Sequence, residues 1–240
     1  MNSDKNTPRL LGLMFVIVIV IGLLSGLPLS SLNYKMTGPP DNISETMIDF
    51  SDNSIMVQMS IVGFLIEAVA IVLLTVLLYT TLKKQNKIIA RWAFGLWIIE
   101  AVFLAVRQIN AFSLLNVSQE FAKAGAPDSS YFQTLGSLFY ETFQFDYSVQ
   151  MVFYCMGGIL FYYLFFKSRY VPIVLSLWGV AAASLALIGE LLLFFGYDVP
   201  LYVFLPILPF ELAIGVWLIF KGFNSSAIAP ESVKTDINEG

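Results

Sequence analysis

Six stretches of this chain are long and apolar enough to cross a membrane, and they leave no room between them for a soluble domain. A spanning helix needs roughly 20 mostly apolar residues. Such runs cover 10–29, 56–82, 88–115, 143–166, 171–195 and 199–220. Composition agrees: 58% of residues are hydrophobic and 12% charged, about half the charged share of a soluble domain. The expected fold is an all-α membrane protein, a six-transmembrane-helix bundle forming one domain over 1–222, with a short polar tail at 223–240. The longest interruption, 116–142, contains Ala-Gly-Ala-Pro-Asp at 124–128, which reads as a turn. The aromatic segment 130–142 reads as an interfacial helix or as an extension of the fourth span.

Charge placement orients the bundle, because Lys and Arg flanking spans favour the cytoplasmic side. Lys5, Arg9, Lys83, Lys84, Lys87, Arg91, Lys167, Arg169, Lys221 and Lys234 all fall on one side of a six-span layout. The other side holds Lys35 and Lys123 with Asp41, Glu45, Asp49, Asp52, Glu120, Asp128, Glu141, Asp146 and Asp198. Five or seven spans would scatter this alternation, so both termini are placed in the cytoplasm. A basic start before an apolar run also has the shape of a signal peptide. The run is long for that role, no A-x-A site follows it, and Gly22 and Gly26 form a GxxxG suited to a retained, closely packed helix. Tyr34, Trp92, Tyr170, Tyr197, Tyr202 and Trp217 fall where an interfacial aromatic belt is expected.

The absences narrow function. The chain has no histidine, which excludes a Ser-His-Asp triad, a His-rich zinc site and His-ligated haem. Its one cysteine, Cys155, allows no intrachain disulfide or cysteine metal cluster. A net charge of −4 argues against nucleic acid as a partner. No cofactor or metal is expected, no nucleophile has a recognisable base, and the residues point away from an enzyme. The expected partners are the lipid bilayer and, if the buried carboxyls are used, a proton or cation.

Five ionisable residues lie inside the expected spans away from their ends: Glu67, Glu100, Arg107, Glu190 and Glu211. Each costs a few kcal/mol or more in hydrocarbon, so each must face a neighbouring helix or water. Helical spacing places small residues on their stripes: Ser60, Gly63 and Ala70 with Glu67; Gly179, Ala183 and Ala186 with Glu190; Gly215 with Glu211. Ala93, Trp97, Glu100 and Arg107 share a face of the third span. At ~1.5 Å rise per residue, Glu67, Glu100 and Glu211 come near the midplane, with Arg107 and Glu190 nearer the acidic side. Arg107 is expected to neutralise one carboxylate, Glu190 first and Glu67 second. Pro206 and Pro209 precede Glu211, where a kinked sixth helix would expose backbone carbonyls to a cation or water; prolines are also common in membrane helices.

The segment Pro-Phe-Glu-Leu-Ala-Ile-Gly-Val-Trp-Leu-Ile-Phe-Lys-Gly-Phe at 209–223 resembles the closing signature of the bacterial membrane family "domain of unknown function 4386". Phe-Phe-Lys-Ser-Arg-Tyr-Val-Pro at 165–172 is similar to its junction between spans four and five, and Arg91 with Glu100 to its third-span pattern. The resemblance carries the family's glutamate onto Glu211 and its glycines onto Gly215 and Gly222. The chain departs at Arg169, where the family pattern has glycine, and at Ile173, where it has a basic residue. The resemblance implies a bacterial integral membrane protein, uncharacterised in function, in the cell membrane. Two functional classes follow from the residues: a structural or partner-binding protein whose glutamates pack helices, or a proton- or cation-coupled small-solute transporter that uses them.

Overall fold

The computed structural model describes residues 3–30, 32, 40, 42–126 and 130–224, and the described residues form seven α-helices. They are α1 (Ser3–Ser30), α2 (Ile43–Asp52), α3 (Ser54–Leu82), α4 (Lys87–Lys123), α5 (Ser130–Ser168), α6 (Ile173–Phe194) and α7 (Ile207–Phe220). Six of these segments are long and apolar enough to cross a membrane; the last, Leu201–Phe220, joins α7 to a 3₁₀ turn at Leu201–Val203. Helices suit such sequences because lipid offers backbone groups no hydrogen-bond partner. Tyr34, Lys35, Asp41, Asp128, Lys234 and the tail beyond 224 lie outside the described residues.

The spans close into a ring. α1 packs on α3, α3 on α4, α4 on α5, α5 on α6, α6 on α7, and α7 returns to α1. Small residues permit the closure. Cβ atoms added at Gly12 of α1 would fall 2.5 Å from the Gly215 carbonyl oxygen of α7. Gly63 of α3 likewise meets Ser25 of α1. With Leu11 and Phe15 fully buried, α1 is part of the core.

Two apolar layers seal the ring. At the basic end, where Lys83, Lys84 and Lys167 lie, Leu11, Leu78, Trp97, Phe161, Phe165 and Phe210 pack together. At the acidic end, Leu29, Phe50, Val57, Leu114, Tyr140 and Phe143 do the same. Along α3 and α4, Glu67 and Glu100 fall between residues of the two layers.

Three features settle or change the sequence expectation. α4 and α5 have 37 and 39 residues, so at ~1.5 Å each they run well past a ~30 Å hydrocarbon layer. The segment 130–142 is therefore an extension of the fourth span. Second, α2 lies across the projecting ends of α4 and α5, with Met47 seated against Gly136. Asn42 starts it: its Oδ1 accepts from the Ser44 and Glu45 amides, and its Nδ2 donates to Glu45 Oε1. Third, Pro206 and Pro209 do not kink a continuous sixth helix. Pro206 is the N-cap of α7, and Pro209 lies in its first turn, where a missing N–H costs nothing. The break precedes α7.

The two sequence segments that resemble the family touch in space. The Tyr170 and Phe223 rings stack at 4.5 Å, and Asn224 donates to the carbonyls of Tyr170 (2.9 Å) and Arg169 (2.8 Å). Arg169 ends α5 with φ +58°. Left-handed backbone of this kind favours glycine, and here an arginine adopts it.

Candidate functional site

Helical periodicity aims three of the four glutamates at one region. On α3, Val62, Ile66, Val69 and Leu73 face outward, while Ser60, Ile71, Leu74 and Leu78 are buried. Glu67 falls on the inward side of that division and is half-buried. α4 buries Trp97, Glu100, Leu104, Arg107 and Gln108 on one stripe. α7 turns Phe210, Ile214 and Leu218 inward with half-buried Glu211 among them.

Glu67, Glu100 and Glu211 come from three helices and lie within electrostatic range of one another. Like charges at such distances in a low-dielectric interior repel strongly. α1 covers the group with a glycine: a Cβ at Gly22 would stand 2.6 Å from Glu67 Oε1.

α5 supplies the polar partners. Tyr154 donates to Glu211 Oε1 at 2.6 Å and Tyr162 donates to the same oxygen at 3.3 Å. The two phenol oxygens are 3.4 Å apart. Gln150 Nε2 donates to Glu100 Oε1 at 3.3 Å. The Gln150 side chain is 8% exposed, and its Oε1 has no hydrogen-bond partner among the described residues. Trp97 fixes this wall from α4: its indole N–H donates to the Tyr154 carbonyl (2.9 Å), and its ring stacks on Tyr154 and meets Tyr162 edge-on. Gly157 makes room for the indole.

Arg107 lies on the acidic side of this group, 6% exposed, so it does not snorkel to the surface. Its guanidinium sits over Phe143 (4.1 Å), Tyr147 (4.8 Å) and Phe64 (5.9 Å), and its Nε donates to the Phe143 carbonyl. Its charge reaches Glu67, the second of the two carboxyls considered for it. For Glu190, the other carboxyl expected to pair with Arg107, the partner shown is Ser148 of α5, and α4 and α6 each pack on α5. Glu190 is 1% exposed and takes a hydrogen bond from Ser148 of α5. It lies in range of Cys155, which is also in range of Glu211 and Glu100.

Sequence reasoning missed Gln150, Tyr154, Tyr162 and the buried Asp146, which accepts a 2.6 Å hydrogen bond from Asn110. A signal was present: Gln150, Tyr154, Gly158 and Tyr162 recur at steps of four, one polar stripe on a helix. No group of three His, Cys, Asp or Glu among the described residues lies close enough to hold a metal ion.

Six spanning-length apolar helices around a buried carboxyl and tyrosine cluster define a multi-pass membrane protein. Residues 10–222 match the family described as Domain of unknown function (DUF4386), and the chain belongs to that family. No curated protein and no solved structure matches the chain.

Proposed function

We propose that the protein is a proton- or cation-coupled small-solute transporter whose intramembrane site is Glu67, Glu100 and Glu211. One observation carries this reading. Three carboxyls from α3, α4 and α7 converge, and two of them keep part of their surface accessible. Carboxyls that served only to glue helices would be paired off separately. Convergence instead accumulates negative charge where only a proton or a cation relieves it. The two apolar layers at the ends of the ring support an occluded site that opens to one side at a time. The packing role fits Glu190, which is buried against Ser148.

The basic loops support an orientation with both termini in the cytoplasm of a bacterial cell membrane. The test is proton flux in liposomes holding the purified protein. Glu67→Gln, Glu100→Gln and Glu211→Gln are expected each to reduce flux at least tenfold, and Glu190→Gln to leave it near wild type. Equal flux in all four variants would sink the reading.

A further inference from the structure

We infer that the cation recognised by the Glu67, Glu100 and Glu211 site is a small ammonium-type ion carrying N–H donors. The inference rests on the transporter reading above and names its ligand class.

Three observations converge. First, the unfilled polar atom seen at the site is an acceptor. Gln150 turns its amide N–H₂ to Glu100 and leaves Oε1 buried with no partner among the described residues. A buried acceptor without a donor is destabilising, so a ligand that fits brings one. Tyr154 and Tyr162 both spend their hydroxyl protons on Glu211 Oε1, so the phenols offer a new ligand no donor that is not already engaged. Second, Glu67 and Glu211 act electrostatically on Glu100, yet among the described residues no three such groups stand close enough to hold a bare metal ion. A polyatomic cation spans such a gap through several N–H···O bonds. Third, the Tyr154 and Tyr162 rings, with Trp97 behind them, border Glu211. Their hydroxyl oxygens, with the protons turned to Glu211, keep lone pairs that can accept from an N–H donor.

Glu67 completes the site from α3, with Gly22 of α1 holding the opposite side close. Arg107 already occupies an aromatic enclosure of Phe64, Phe143 and Tyr147 on the acidic side.

The test is equilibrium binding of methylammonium to the purified full-length protein, with proton flux measured on the same preparation in liposomes. Saturable methylammonium binding is expected. Ammonium is expected to compete with it, and tetramethylammonium, which has the charge but no N–H, to compete at least tenfold less well. Gln150→Leu is expected to weaken binding about tenfold, the loss of one hydrogen bond to a charged ligand, while Glu190→Gln leaves it unchanged. Equal competition by tetramethylammonium in the wild type would overturn donor recognition without relying on any variant. Glutamate-dependent proton flux with no methylammonium binding would overturn the ligand class and leave the transporter reading standing. Absence of both would overturn the two together.

Discussion

Gly22 of α1 lies against the carboxyl of Glu67 of α3, so close that a methyl group there would stand 2.6 Å from Oε1. The neighbour is the end of a flexible side chain, so Gly22→Ala is expected to fold and to push the Glu67 carboxyl towards the cluster. Gly12 meets something that cannot yield, the backbone carbonyl of Gly215. Gly12→Ala is therefore expected to cost about 1–3 kcal/mol by overpacking. Thermal unfolding in detergent compares the two; equal loss of stability would show that the α1–α7 contact is no tighter than the α1–α3 contact.

Arg107 and Glu67 are expected to be energetically coupled. Arg107→Ala removes a cation from three rings and leaves Glu67 with less compensation, at a cost of about 2 kcal/mol or more. Arg107→Lys is expected to cost less but measurably, because the ammonium lacks the planar fork. In double-mutant cycles, Arg107→Ala with Glu67→Gln should couple by about 1 kcal/mol. With Glu190→Gln the effects should add to within about 0.5 kcal/mol. Coupling to Glu190 in place of Glu67 would contradict the geometry.

Arg169 holds a left-handed backbone conformation at the end of α5. Arg169→Gly relieves that strain, and the Asn224 hydrogen bond to the residue 169 carbonyl survives because it uses main chain. The variant is expected to be more stable by about 1 kcal/mol. A loss of stability would mean that the guanidinium resting over Phe166 outweighs the backbone term.

Orientation is open to direct labelling. Cys155 is buried, so a Cys155→Ala background is expected to be silent towards a membrane-impermeant thiol reagent. On that background Glu120→Cys, at the exposed end of α4, is expected to react from outside sealed cells, and Lys84→Cys, between α3 and α4, only after permeabilisation. The reverse pattern would invert the proposed topology.

The spans were legible because lipid imposes one requirement on every residue of a crossing helix, and a run of apolar side chains reports it without reference to any neighbour. The glutamates were legible for the converse reason: a charge in such a run stands out. What stayed hidden depends on partners. Tyr154 and Tyr162 read as ordinary aromatic residues until the fold brings Glu211 to their hydroxyls. Gln150 matters through one oxygen whose lack of a donor exists only in three dimensions. The choice between Glu67 and Glu190 for Arg107 depends on which helices adjoin α4, and periodicity along one helix carries no such information. α2 was missed because 10 amphipathic residues fall below spanning length, although Asn42 and Glu45 have the spacing of a capping box. Pro206 looked like a kink because an apolar run continues through it; its fixed φ instead begins the helix.

Ring closure through α1 and α7 has a consequence for biogenesis. The first span to be made is completed by the last, since Gly12 meets its backbone partner only when Gly215 arrives. During synthesis the nascent chain therefore holds Glu67 and Glu100 in the membrane before Glu211 joins them, with α1 seated on α3 alone. A ribosome stalled before α7 would leave an open-sided assembly, its buried charges facing lipid along the missing wall. Quality control that surveys the bilayer for exposed carboxyls would then distinguish a finished chain from a truncated one by its final helix.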